Sequence, residues 1–295
     1  MPLSIFDNTL ELPNIEIKER TAHLIGFENK YQRIFNNLKI LLDPEELIKW
    51  SNKFYKIELP IISQLTNRYP LIILAGDAGT GKTVSAEGFA DRIVRDLKKE
   101  GFLLKLNTRV RGEGLHGQMG SLVNDAFSEL KTQAGKKRLA FLLIDEADAI
   151  ATTRSTLQMH QEEKSAVNTL IQKIDAVREL KGRAIIFMAT NRLHFIDEAI
   201  LRRSAVVLEF KRPNEIERKE LFEKNLHALK LTAKQIQKLS DLTSPEENNK
   251  VGHSYSDIIL KILPEAIAMS FPDKPLTFEL LCETISNIKP SPEII

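Results

Sequence analysis

A chain of 295 residues fits one large domain or two smaller ones, and its 42% apolar and 28% charged content is that of a globular protein with a real core. Lys and Arg number 42 against 40 Asp and Glu, a balance that argues against a protein whose main work is coating nucleic acid or an anionic membrane. The single cysteine, Cys282, rules out an internal disulfide, no apolar run approaches the roughly 20 residues of a membrane span, and the first residues lack the charged start and apolar core of a signal peptide, so a cytoplasmic protein is expected.

Taken in chain order, residues 1–20 read as an N-terminal tail or docking arm, and residues 21–69 as helical with a break at Asp43-Pro44. Strands are then expected at Leu71–Ala75, Phe102–Asn107, Leu139–Ile144, Ala184–Ala189 and Ala205–Phe210, with helical patterns between them. One such pattern is the stripe Val167, Leu170, Ile171, Ile174 and Val177, which reads as core packing and nothing more. Alternating strand and helix implies a parallel sheet covered on both faces. After Pro213 only helices are expected, near 214–229, 232–241, 255–270 and 275–288. The expected fold class is therefore α/β: a parallel five-stranded sheet flanked by helices over residues 21–211, then a small all-α lid over 212–295.

The first strand runs into Gly76-Asp77-Ala78-Gly79-Thr80-Gly81-Lys82-Thr83, which fills the phosphate-binding pattern G-x-x-x-x-G-K-[ST], and Val84–Lys99 reads as the helix behind it. Glycines let backbone N–H groups turn inward as an anion nest, and the helix N-terminus adds partial positive charge. Lys82 would reach the β- and γ-phosphates of a nucleotide, and the Thr83 hydroxyl would ligate Mg²⁺. The strand Phe141-Leu142-Leu143-Ile144 ends in Asp145-Glu146. In an open α/β sheet ligands gather beyond the carboxyl ends of strands. Asp145 would then hold Mg²⁺, directly or through water, and Glu146 would orient and polarise the attacking water; the competing role for Asp145 is a helix N-cap. Asn191, at the end of the neighbouring strand, could touch the γ-phosphate or that water. Arg202 and Arg203 close a short helix just before the last strand. A guanidinium fork suits a γ-phosphate, and their distance along the chain favours action on a neighbouring subunit's nucleotide. The sequence does not choose between the two.

With these residues in place the chain resembles an AAA+ ATPase of the classical clade, over roughly residues 21–290. Gly76–Thr83 matches Walker A, Phe141–Glu146 matches Walker B, Asn191 matches sensor 1, and Arg202 and Arg203 fall at the arginine-finger position. Leu24-Ile25-Gly26-Phe27 resembles the segment that contacts adenine, and the region from Gly252 through Ser256 to Asp257 resembles the lid motif. Within the clade the chain is most similar to the pachytene-checkpoint, thyroid-receptor-interactor type. The stretches that carry this are 141–154, Ala166–Asp175 and Lys261–Ala266. The resemblance implies ATP and Mg²⁺ as cofactors, a ring, most often a hexamer, and remodelling of a HORMA-domain protein; bacterial relatives accompany such proteins in nucleotide-signalling anti-phage systems. It also implies a loop that grips substrate in the pore. Counting back from Phe127 places its tooth at Leu115-His116-Gly117, with leucine where an aromatic is usual; a second pore loop falls near 152–162. Two departures stand out. The lid motif has no arginine, leaving Lys261 as the nearest base. About 20 residues stand where larger relatives carry an adaptor-binding domain. The rival classes are a nucleic-acid loader or transposition ATPase, another disassembly or severing ATPase of the clade, and a nucleotide-dependent scaffold.

Overall fold

In the computed structural model, residues 5–65, 67–106, 119–153, 161–245 and 251–293 are described. Two compact units are present. The first comprises the chain up to Ala22, Phe27–Ala75 and Thr83–Glu209; the second comprises His23–Gly26, Gly76–Lys82 and everything from Phe210 onward.

The first unit begins with strand β1 (Phe6–Leu12) and helices α1 (Ile15–Thr21), α2 (Phe27–Leu42), α3 (Pro44–Tyr55) and α4 (Ile61–Leu65). The alternating part comes next: β2 (Leu71–Gly76), α5 (Lys82–Asp96), β3 (Gly101–Leu106), α6 (Met119–Ala134), β4 (Leu139–Ile144), α7 (Gln161–Val177), β5 (Ala184–Thr190), α8 (Glu198–Leu201) and β6 (Val206–Phe210). All five expected strands are present, within a residue or two of their expected bounds. They are joined in one sheet of order β1-β3-β4-β5-β2-β6. Strands β3, β4, β5 and β2 run parallel. The interior residues of β2, β4 and β5 are buried, which is why these strands read as continuous apolar runs; β3 keeps Phe102 and Lys105 only partly buried. The apolar faces of α6 and α7 pack on this sheet, and Val167, Leu170, Ile174 and Val177 of the helical stripe lie in that core. Asn107, expected to end the second strand, lies outside the described residues.

The sixth strand is the finding the sequence did not announce. β1 pairs antiparallel with β3, from Phe6 opposite Leu106 to Leu12 opposite Gly101. It covers the sheet edge that would otherwise show a row of unpaired backbone groups. Only Leu12 of this strand is buried, and Phe6 packs partly buried against the core, so the hydrophobic signal is weak; backbone pairing and the anchor at Asn14, just beyond its end, also hold it. The Asn14 side chain caps α1, its backbone N–H donates to Asp91 at 2.6 Å, and its carbonyl accepts from Arg95 at 2.9 Å. The segment expected as a tail is thus stitched to α5, the helix behind the glycine loop.

The second unit gathers α9 (Glu215–Leu226), α10 (Ala233–Leu242), α11 (Tyr255–Asp257), α12 (Leu263–Ser270) and α13 (Phe278–Asn287) around a core of Leu221, Phe222, Leu239, Ile258, Ile262, Ala266 and Leu281. Residues 255–270, expected as one helix, widen into a π-helical stretch at Ile258–Ile262. Pro264 lies just beyond it, lacks an N–H and crowds the preceding turn, and a widened turn accommodates both effects. Ile25 packs into the same core. Among the described residues no helix is long and apolar enough to cross a membrane.

Candidate nucleotide site

The second unit holds the glycine loop. Gly79 and Gly81 adopt positive φ, +72° and +88°, which side chains rarely tolerate. Space is a second constraint. A Cβ on Gly76 would stand 1.9 Å from the Phe210 carbonyl oxygen, and one on Gly79 would stand 2.8 Å from the Ser254 hydroxyl. The loop is therefore a backbone cradle by necessity, as a phosphate nest requires. The Lys82 ammonium turns into it and donates to the carbonyls of Gly76 at 2.9 Å and Asp77 at 2.7 Å; Thr80 donates to the same Asp77 carbonyl at 2.7 Å.

Around the cradle stand the other residues of this unit whose types and spacing suit nucleotide binding. The Ser256 N–H donates to the Gly79 carbonyl at 3.0 Å, and Ser254 opens α11 with a capping box. Leu24 lies 4.0 Å from where a Gly81 Cβ would be, Ile25 is buried, and Gly26 turns the chain with φ of 67°. Gly252 has no room for a side chain against Thr243 and Pro245. Sequence reasoning passed over two neighbours. Arg212 ion-pairs with Asp77, and its clue is a cation at the exit from β6. His253 is 4% exposed; its Nε2 meets the Ile288 carbonyl at 2.8 Å, while its Nδ1 is buried without a hydrogen-bond partner. Such an orphaned polar atom is rare and calls for a partner.

The first unit holds the acids and the arginines. The Thr83 hydroxyl donates to Asp145 Oδ2 at 2.8 Å, although 62 residues separate them. A hydroxyl and a carboxylate oxygen brought together are hard donors of the kind Mg²⁺ accepts, and Mg²⁺ usually takes only one or two protein ligands beside water and phosphate. The donor set fits that ion. Glu146 comes next in the left-handed region, φ 49°, with its side chain exposed; a non-glycine residue held there marks a backbone with a reason to be strained. Strand register puts Ile144 opposite Met188 and Ala75 opposite Thr190, so the carboxyl ends of β2, β4 and β5 share one rim. Asn191 begins the turn there. Its predecessor Thr190 is buried and donates to Asp148 at 2.7 Å, while accepting from the Arg192 N–H at 3.0 Å. Asp148, which sequence reasoning did not single out, thereby fixes the turn that carries Asn191.

The two arginines differ. Arg203 grips Asp175 with both arms, at 2.6 and 3.1 Å, donates to the Ala199 carbonyl and lies over the Tyr69 ring. That hydrogen-bonded pairing holds the Asp175 carboxyl below the usual carboxylate range. Arg202 is 78% exposed and meets Glu198, one turn earlier, at 2.9 Å. Of the pair, Arg202 is the cation presented outward. Leu115, His116 and Gly117 and most of the second pore loop lie outside the described residues.

The family of ATPases associated with various cellular activities (AAA) matches residues 72–212. CD-NTase-associated protein 6 of Escherichia coli (strain KTE188) is 43% identical over 98% of this chain and 97% of its own length. Among solved structures, the HORMA:CdnC:Trip13 complex of E. coli MS115-1 contains a chain 32% identical, with a TM-score of 0.91 and full coverage of both chains. The Trip13 structure from Rhizobiales is 26% identical, with a TM-score of 0.75 over 97% of this chain and 99% of that one.

Proposed function

The chain belongs to the AAA ATPase family, and from that premise we propose that it is a Mg²⁺-dependent ATPase that remodels a HORMA-domain protein within a bacterial anti-phage signalling system. The carrying observation is the 2.8 Å contact of Thr83 with Asp145, which joins the end of the glycine loop to the acidic end of β4. The partner is inferred from relatives: one solved relative is part of a HORMA:CdnC:Trip13 complex, and the 43% identical one is named for association with CD-NTases.

In this reading the N–H groups of Gly76–Thr83 and the Lys82 ammonium hold the phosphates. His253, with its orphaned Nδ1, and the Ile25-Gly26 segment suit the adenine base. Mg²⁺, held by Thr83 and Asp145, would supply neutralisation of phosphate charge. Glu146 orients a water and accepts its proton as it attacks. Asn191, fixed through Thr190 and Asp148, positions that water or the γ-phosphate. Arg202 of the adjoining protomer in a ring, a hexamer by family habit, stabilises the charge that develops on the transferred phosphoryl group. Leu115-His116-Gly117 engage an extended substrate segment, so that turnover pulls on it and converts the HORMA fold. The test is Glu146→Gln mixed with a purified bacterial HORMA-domain protein of the kind seen in the E. coli MS115-1 complex. The variant should bind ATP, stop turning over and hold that protein in a stable complex. Normal turnover would remove Glu146 from its role, and failure to hold any HORMA protein would remove the partner.

A further inference from the structure

The glycine loop carries a charge that its task disfavours. Asp77 is an acid in a cradle built for polyphosphate, 9% exposed, and like charge at short range in a poorly solvated site weakens anion binding. Arg212 answers it. The guanidinium Nε donates to Asp77 Oδ2 at 2.6 Å, one terminal nitrogen donates to the Gly252 carbonyl at 2.6 Å, and the other donates to the Ser291 carbonyl at 2.8 Å. One side chain, 12% exposed, thereby ties the glycine loop, the lid motif and the segment after α13. Asp77 is also the hub of the loop itself: its carbonyl receives Lys82 and Thr80, and its Oδ1 accepts from the Ala78 N–H at 2.7 Å.

We infer that Arg212 is a positioning residue for the nucleotide. It cancels the Asp77 charge and, through Asp77, sets the loop that aims Lys82, while its other two arms join that loop to the lid motif and the terminal segment. The geometry makes Arg212 and Asp77 interdependent. Loss of the cation alone leaves a largely buried carboxylate in the phosphate loop without its guanidinium, which is worse than loss of both charges. The lysine that sequence reasoning offered in place of the lid's missing arginine has another job: Lys261 donates to Asp257 and Ser291 at 2.7 Å each.

The inference rests on the nucleotide reading above, and a double-mutant cycle separates the two. ADP dissociation constants are measured on the full chain for the unaltered protein, Arg212→Gln, Asp77→Asn, the Asp77→Asn/Arg212→Gln pair, and Arg212→Lys, with melting temperature recorded in the absence of nucleotide. Arg212→Gln should weaken ADP binding by about tenfold or more. The double variant should recover most of that loss, and Arg212→Lys, which keeps the charge and loses the fork, should fall between. A merely structural arginine would lower the melting temperature without rescue of binding by the second substitution. Additive losses in the cycle, or unchanged ADP affinity in Arg212→Gln, overturn the inference while the unaltered protein still binds ADP. Absence of ADP binding by the unaltered protein overturns the nucleotide reading itself. If Arg212→Gln fails to fold, the pair Asp77→Asn and Arg212→Lys decides: Arg212→Lys binding as tightly as the unaltered protein contradicts the bridging role.

Discussion

Adjacent side chains can carry opposite duties, as Arg202 and Arg203 do. Arg203 is engaged by a carboxylate, a carbonyl and an aromatic ring, whereas Arg202 is offered outward. Arg203→Ala should therefore cost stability, about 1–2 kcal/mol for a partly screened bidentate pair, read as a melting temperature lower by about 2–4 °C. Arg202→Ala should melt as the unaltered protein does and yet lose ATP turnover by about a thousandfold. The opposite pattern would make Arg203 the trigger. Glu146→Gln should keep ADP affinity and lose at least about a hundredfold in turnover, with a burst-free single-turnover trace as the check. Sequence made the phosphate loop and the acidic strand end legible because their chemistry demands fixed residue types at fixed spacing. It left the arginine pair ambiguous because spacing says nothing about which guanidinium Asp175 captures, and it passed over Asp148, Arg212 and His253 because each acts through partners far away in the chain.

Elements with a strong apolar period were readable, and elements held by polar contacts were not. The buried strands appear where the runs of Leu, Ile, Phe and Ala stand, since a sheet covered on both faces leaves no alternation to misread. β1 escaped notice because it is bound by backbone pairing at an edge and by Asn14, Asp91 and Arg95. The end of the lid motif shows polar anchoring in its sharpest form. Burial alone would raise the Asp257 carboxyl, yet hydrogen bonds from Lys261, from the Ser291 side chain and from backbone N–H groups hold it well below the usual carboxylate range. A group depressed in the folded state contributes stability above its unfolded value, near 3.9, and loses it as pH falls below that. Helical-unit stability should accordingly drop steeply below about pH 4. Asp257→Asn should be less stable at neutral pH by about 1–3 kcal/mol and show a shallower acid limb. Parallel acid limbs in urea titrations would assign the acid sensitivity elsewhere.

At the scale of the whole molecule, a full-length likeness with a TM-score of 0.91 and 32% identity accords with a chain whose every described strand has a place in one sheet. In the proposed ring, an outward Arg202 and an exposed Glu146 would meet at a seam, one copy lending the cation to the next. Nucleotide should then promote assembly, seen as a shift to larger species in light scattering on addition of ATP to Glu146→Gln. The most direct test mixes two inactive chains. Glu146→Gln retains an intact Arg202 to lend, and Arg202→Ala retains an intact cradle and Glu146 to receive it. Combined before assembly, the two should regain a substantial fraction of ATP turnover that neither shows alone. A mixture as inactive as its components, though co-assembled, would contradict the shared seam.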